Sequence, residues 1–309
     1  MKNIFTYSTA FVLGLALVAT PEADAQQFSK RKQYNSVGFS LNAMNYFGDI
    51  TPTTSFASLK FGATRVGAGV SITRRFYPRV SGRFGLSYGR ISGSDAESAN
   101  KDGADDKFRY NRNFDFRNDI LEASAVAIFD LIENRNNYLK RPDFVPYVFA
   151  GVAGFYHNPK GKTASGEYIG LADLKTEAQA TAYGQTQFSI PFGGGIRYRI
   201  NRNFDASLEI GWRKTFTDYI DDVGGKFAGP AALGLTNPAT PVSAMSAQQY
   251  FGYGITRSVA SPDPANPFPA FANQGSARGD SGNKTDWYIV TGVTLNYILT
   301  PRIKNPKFR

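Results

Sequence analysis

The chain has 309 residues, a formal net charge of +10 and no cysteine. The lack of cysteine excludes disulfides, thiolate metal sites, a cysteine nucleophile and the lipidated cysteine of a lipoprotein. Charged residues make up 19% and aromatics 14%, with 31 glycines. That is fewer charges than the roughly 25% usual in soluble proteins. It suits a membrane β-barrel, and composition alone also leaves a soluble β-sandwich open.

The first 25 residues read as a targeting segment. Lys2 supplies the positive start, Ala10 to Val18 the apolar core, and Ala23-Asp24-Ala25 a small-residue cleavage site. Residues 1–25 are therefore expected to be a cleaved signal peptide and 26–35 a short periplasmic segment. No later apolar run reaches the 18 residues of a membrane helix, so a mature chain that spans a membrane must do so as a closed barrel.

Eight stretches then alternate apolar and polar residues with the period of two that a strand requires. They fall at about Ser36 to Phe47, Arg65 to Tyr77, Ser81 to Ile91, Asn118 to Leu131, Phe144 to Tyr156, Thr186 to Ile200, Phe204 to Phe216, and Thr285 to Leu299. In the fourth, Val126 and Ile128 interrupt the alternation. The fifth is apolar on both faces and has no readable phase. The sixth and seventh form the clearest pair. Phe188, Ile190, Phe192, Ile196 and Tyr198 share one face, as do Phe204, Leu208, Ile210 and Trp212, and Asn201-Arg202-Asn203 turns between them.

The connections alternate strictly. The odd ones are about 17, 26, 29 and 68 residues and the even ones about 3, 12 and 3, the pattern of long external loops and short periplasmic turns. The last long loop, 218–284, carries seven of the 16 prolines and predicts little regular structure. The sequence thus predicts an all-β fold, an eight-stranded antiparallel transmembrane β-barrel over 36–299 with long external loops, and a basic periplasmic tail over 300–309. Its apolar faces turn to outer-membrane lipid. Aromatics near strand ends (Phe47, Phe76, Tyr77, Tyr88, Tyr198, Phe204, Phe216, Trp287, Tyr297) mark the two interfaces.

Five segments resemble a known family in order along the chain. These are SVGFSLNAMNYFGDITP from Ser36, PYVFAGVAGFYHNPKG from Pro146, TFTDYIDDVGGKF from Thr215, DWYIVTGVTLNY from Asp286, and the closing NPKFR. Together they resemble the PorG-like family of Bacteroidota outer-membrane barrels. The resemblance implies an integral outer-membrane component of the type IX protein secretion and gliding motility machinery, associated with periplasmic ring proteins and lipoproteins. Residues 228–284 match none of its motifs.

The side-chain chemistry is sparse. His157 is the only histidine, and no G-x-S-x-G motif accompanies it. An outer-membrane enzyme centred on His157 and a surface-binding barrel using the long loops are the alternatives to a non-enzymatic anchor. Asp105-Asp106 and Asp221-Asp222 lack calcium-loop spacing and read as solvated carboxylates. Gly193-Gly194-Gly195 reads as close packing in a barrel strand. No catalytic, cofactor or metal residue is assigned, and the scattered basic residues predict no nucleic-acid partner. Glu209 and Arg213, with Glu122, are expected to form a structural ion pair in the lumen. On the strength of the resemblance, Arg302, Lys304, Lys307 and Arg309 of the tail are expected to contact the periplasmic partner, together with the turns at 78–80, 133–142 and 201–203.

Overall fold

The computed structural model describes residues 32–50, 63–99, 109, 112, 114–163, 165–235, 244–253, 277–279 and 285–299. The targeting segment 1–25, Asp105-Asp106 and the tail with Arg302, Lys304, Lys307 and Arg309 lie outside the described residues.

The described strands are β1 Asn35–Phe47, β2 Arg65–Arg75, β3 Val80–Ser94, β4 Asp115–Asp130, β5 Phe144–Lys162, β6 Tyr168–Gly170, β7 Thr186–Arg199, β8 Phe204–Thr215 and β9 Trp287–Leu299. Eight of them form a ring in the order β1-β2-β3-β4-β5-β7-β8-β9, and the β1–β9 and β4–β5 pairings close it. Every pairing is antiparallel. No barrel strand is left with an open edge along its length, which a membrane wall demands. The short β6 lies outside the ring and pairs with the top of β5.

The pleat sorts side chains between two environments. Val37, Phe39 and Leu41 of β1 point out, as do Val66, Val70 and Ile72 of β2 and Phe188, Ile190 and Phe192 of β7. Val66 is 84% exposed and Phe188 70%. An apolar surface that runs round the whole wall far exceeds the few hundred Å² a soluble monomer shows. It is the lipid-facing band of a transmembrane barrel. Tyr77, Tyr198 and Tyr297 edge the band at the short-turn end, and Tyr88, Tyr156 and Phe216 at the long-loop end.

The fifth predicted strand gains its phase from the structure. Phe144, Val148, Val152 and Tyr156 face out, whereas Val145, Tyr147, Phe149, Ala153 and Phe155 are buried. Val126 and Ile128 pack inside against Tyr147 and Phe149, so the interrupted alternation of β4 reports an apolar patch within the lumen. The triple glycine has a related cause. A Cβ on Gly193 would lie 2.2 Å from the Ile210 carbonyl oxygen and 3.0 Å from the Phe149 ring, so a glycine there lets the ring lie flat on the wall. The β5–β7 ladder skips the residues opposite Ile190 and Pro191, consistent with a proline that has no N–H to donate.

Three expectations are corrected. β4 starts at Asp115 and β5 runs on to Lys162, because both continue beyond the lipid-facing band as a ribbon paired from Phe116–Gly161 downwards. β6 has no counterpart among the predicted strands. The long loop is also less irregular than its prolines suggest, since a 3-10 turn (Pro230–Leu233) and a helix (Ala247–Tyr253) form within it.

Candidate functional site

The interior of the barrel is a stack of layers. At the short-turn end, Asp130 takes the guanidinium of Arg75 and, at 2.6 Å, that of Arg197. Arg75 also donates to the Pro78 carbonyl at 2.7 Å. Arg141 pairs with Asp205 at 2.7 Å and donates to the carbonyls of Asn201 (2.8 Å) and Arg202 (2.9 Å). One arginine thus ties the β2–β3 turn to the wall, and another ties the β4–β5 connection to the β7–β8 turn. Each occupies several acceptors with one charge, which is how a buried guanidinium offsets its desolvation.

Midway up, Arg83 grips Glu209, with Nη2 2.9 Å from Oε2, and the Tyr147 hydroxyl donates to the same carboxylate at 2.5 Å. Above it Arg213 meets Glu122 at 3.4 Å, and the Tyr288 hydroxyl donates to Glu122 at 2.6 Å. A cavity of about 70 Å³ lies between these two layers and another of about 30 Å³ below the first, and the Arg83–Glu209 pair borders both. The two cavities leave space for a few waters.

At the long-loop end the lumen is stopped by an apolar cluster. Met44, Tyr46, Ile91, Phe116, Ile120, Phe155 and Tyr288 come from the strands, and Ile50, Ile220 and Val223 from the loops. A lashed cap sits on this stopper. Arg112 grips Asp95 with two contacts of 2.7 Å and donates to the Arg278 carbonyl at 2.5 Å. Arg278 pairs with Asp222 at 3.1 Å and Glu177 at 3.2 Å, and donates to Thr176 Oγ1 at 2.9 Å. These contacts join three separate loops.

Beneath them the Tyr46 hydroxyl lies 2.7 Å from both Asp221 Oδ2 and Asp286 Oδ1. A phenol carries one proton, which the two carboxyls share unless one of them holds a proton of its own. Burial, together with mutual repulsion that also involves Asp49, raises both carboxyls well above their ordinary range. Burial raises Asp222 as well, opposed by Arg278.

The sequence-derived site residues divide in two. Glu122, Glu209 and Arg213 all face the lumen, but Glu209 and Arg213 do not pair with each other. Residues four apart on a strand are separated by about 13 Å. Each reaches across the barrel instead, Glu209 to Arg83 and Arg213 to Glu122. Asp221-Asp222 are buried, not solvated, with 2% and 0% exposure. His157 is fully buried towards the outer end of β5. Its Nδ1 lies 3.4 Å from the Asn118 amide and its ring packs against Phe155 and Tyr183. Arg75, Arg83, Arg112, Arg141 and Arg278 escaped the sequence reading. The available signal was in the strands: Arg75 and Arg83 occupy lumen-facing positions of β2 and β3.

The fold and its interior define a class: a closed, eight-stranded transmembrane β-barrel of the outer-membrane type. The chain belongs to the DUF6089 family, a domain of unknown function whose model matches residues 23–238. No curated protein matches it. Among solved structures it is similar to Neisserial surface protein A, with 11% identity over 85% of this chain and 96% of that one (TM-score 0.36). It is similar to OprG from Pseudomonas aeruginosa, with 9% identity over 88% and 98% (TM-score 0.38). It is also similar to Ail, the attachment invasion locus protein of Yersinia pestis, with 8% identity over 86% and 97% (TM-score 0.34). The barrel assignment itself stands on the strand register.

Proposed function

We propose that this protein is a non-enzymatic integral barrel of the bacterial outer membrane that serves as an anchor or assembly component of a type IX secretion machine. Its short-turn end faces the periplasm and meets the secretion ring. The family reading rests on the five resembling segments. The observation that carries the docking role is the set of arginine contacts that tie the turns of the short-turn end. Arg75 and Arg141 lock its turns, leaving Arg79, Arg135, Lys140 and Arg202 exposed beside Leu131, Ile132 and Leu139. A fixed surface that is both basic and apolar suits a protein partner, because little entropy is lost on docking.

The test is co-purification from native outer membranes. Replacing Arg79, Arg135 and Arg202 together by Glu, or deleting 302–309, is expected to lower recovery of periplasmic ring proteins at least several-fold while barrel abundance stays constant. Unchanged recovery in both variants would contradict the proposal.

The lashed cap favours a second reading, a surface-binding barrel whose loops present a fixed face outside the cell. Loss of ligand binding with secretion intact, after trimming of 236–276, would select it.

A further inference from the structure

The outward faces of β3, β4 and β5 change character at a single level. Tyr88, Leu121 and Tyr156 lie side by side across the three strands and close the lipid-facing band. The next outward level is Arg90, Asp119 and Asn158, and the one above it Ser92, Arg117 and Lys160. Lys162 follows on β5, opposite Tyr168 of β6. Four cations therefore share this outer surface with two carboxylates, Asp115 and Asp119. Asp119 is shared between Arg90 (2.5 Å) and Lys160 (3.8 Å).

Arg117 and Lys160 are directly opposite each other, and like charges in that position repel. Among the described residues Arg117 forms no ion pair. Its guanidinium lies over the Tyr168 ring at 3.9 Å, and its Nε is buried without a hydrogen-bond partner. Asp119 compensates the pair only in part, since it grips Arg90 at 2.5 Å and reaches Lys160 at 3.8 Å. Moreover, the pair stands two outward levels above Tyr88 and Tyr156, on the headgroup side of the aromatic level.

We propose that this patch holds a phosphate of a glycolipid in the outer leaflet. Arg117 and Lys160 would supply the charge-assisted hydrogen bonds, with Lys162 beside them, and the acyl chains would run down the apolar band below Tyr88 and Tyr156. An anion placed between two facing cations turns their repulsion into attraction, and the planar guanidinium suits phosphate oxygens. The outer leaflet follows because the patch lies at the long-loop end, so the inference rests on the membrane orientation proposed above.

The full-length protein is placed in phosphatidylcholine nanodiscs and titrated with diphosphoryl lipid A as the probe. The variants are Arg117→Gln with Lys160→Gln, and Lys162→Gln alone. Arg74→Gln, at the opposite rim, serves as control. The double variant is expected to bind at least tenfold more weakly and the single variant a few-fold, with the control unchanged. Dephosphorylated lipid A should bind the wild type as weakly as the intact probe binds the double variant.

A double variant that inserts normally and binds like the wild type overturns the patch alone. Equal competition by phosphatidylglycerol overturns the glycolipid assignment. A wild-type barrel that fails to enter the nanodisc overturns the membrane reading and the patch with it.

Discussion

Arg278 shows how much of this molecule hangs on single buried cations. It is 2% exposed and holds Asp222, Glu177 and Thr176 together. Replacing it by Ala leaves two buried carboxylates without their counter-charge, a loss of about 3–5 kcal/mol. The loss belongs to the cap, since Arg278 touches no barrel ladder. We expect the 171–185 and 217–228 loops of Arg278→Ala to be cut rapidly by added protease while heat-modifiable gel migration of the barrel stays normal. Loops as resistant as in the wild type would contradict this. At this scale the sequence was legible in direction only. The two-residue period places Glu209, Arg213 and Glu122 in the lumen. Their partners Arg83, Tyr147 and Tyr288 come from other strands, and no spacing along the chain encodes which of them meet.

The strands were legible because lipid outside and polar filling inside impose opposite demands on alternate residues. Where a demand lapses, the signal does too. Tyr147, Phe149 and Phe155 fill the lumen with aromatic bulk, so β5 reads as apolar on both faces. Above the band no lipid requires alternation, which hid β6 and the extensions of β4 and β5. The cap was illegible for a further reason: Asp221 and Asp222 look like any loop acids until Tyr46 meets the first and Arg278, brought from a distant segment, pairs with the second.

The cap also makes a pH-dependent element. Asp221 and Asp286 are raised well above 3.8 in the folded cap, so the closed cap binds a proton that the opened cap releases. Stability from this source is complete below about pH 4 and declines as pH rises towards the raised values. Amide exchange in 217–228, corrected for intrinsic rates, should show stronger protection at pH 5 than at pH 8. Asp286→Asn should flatten the difference. Equal protection of the wild type at both pH values would contradict the shared proton.

For the molecule as a whole, the even strand number and the alternation of long and short connections place both ends of the barrel wall on the short-turn side. Among the described residues the apolar stopper fills the lumen at the other side. The chain has no native cysteine, so the orientation of that wall is directly measurable. Single cysteines are introduced at Ser165, exposed in a long loop, and at Asn137, exposed in the β4–β5 connection. Intact cells are then treated with a membrane-impermeant maleimide. Ser165→Cys should label in intact cells, and Asn137→Cys only after the outer membrane is opened. Labelling of Asn137→Cys in intact cells with protection of Ser165→Cys, or equal labelling of both, would overturn this orientation.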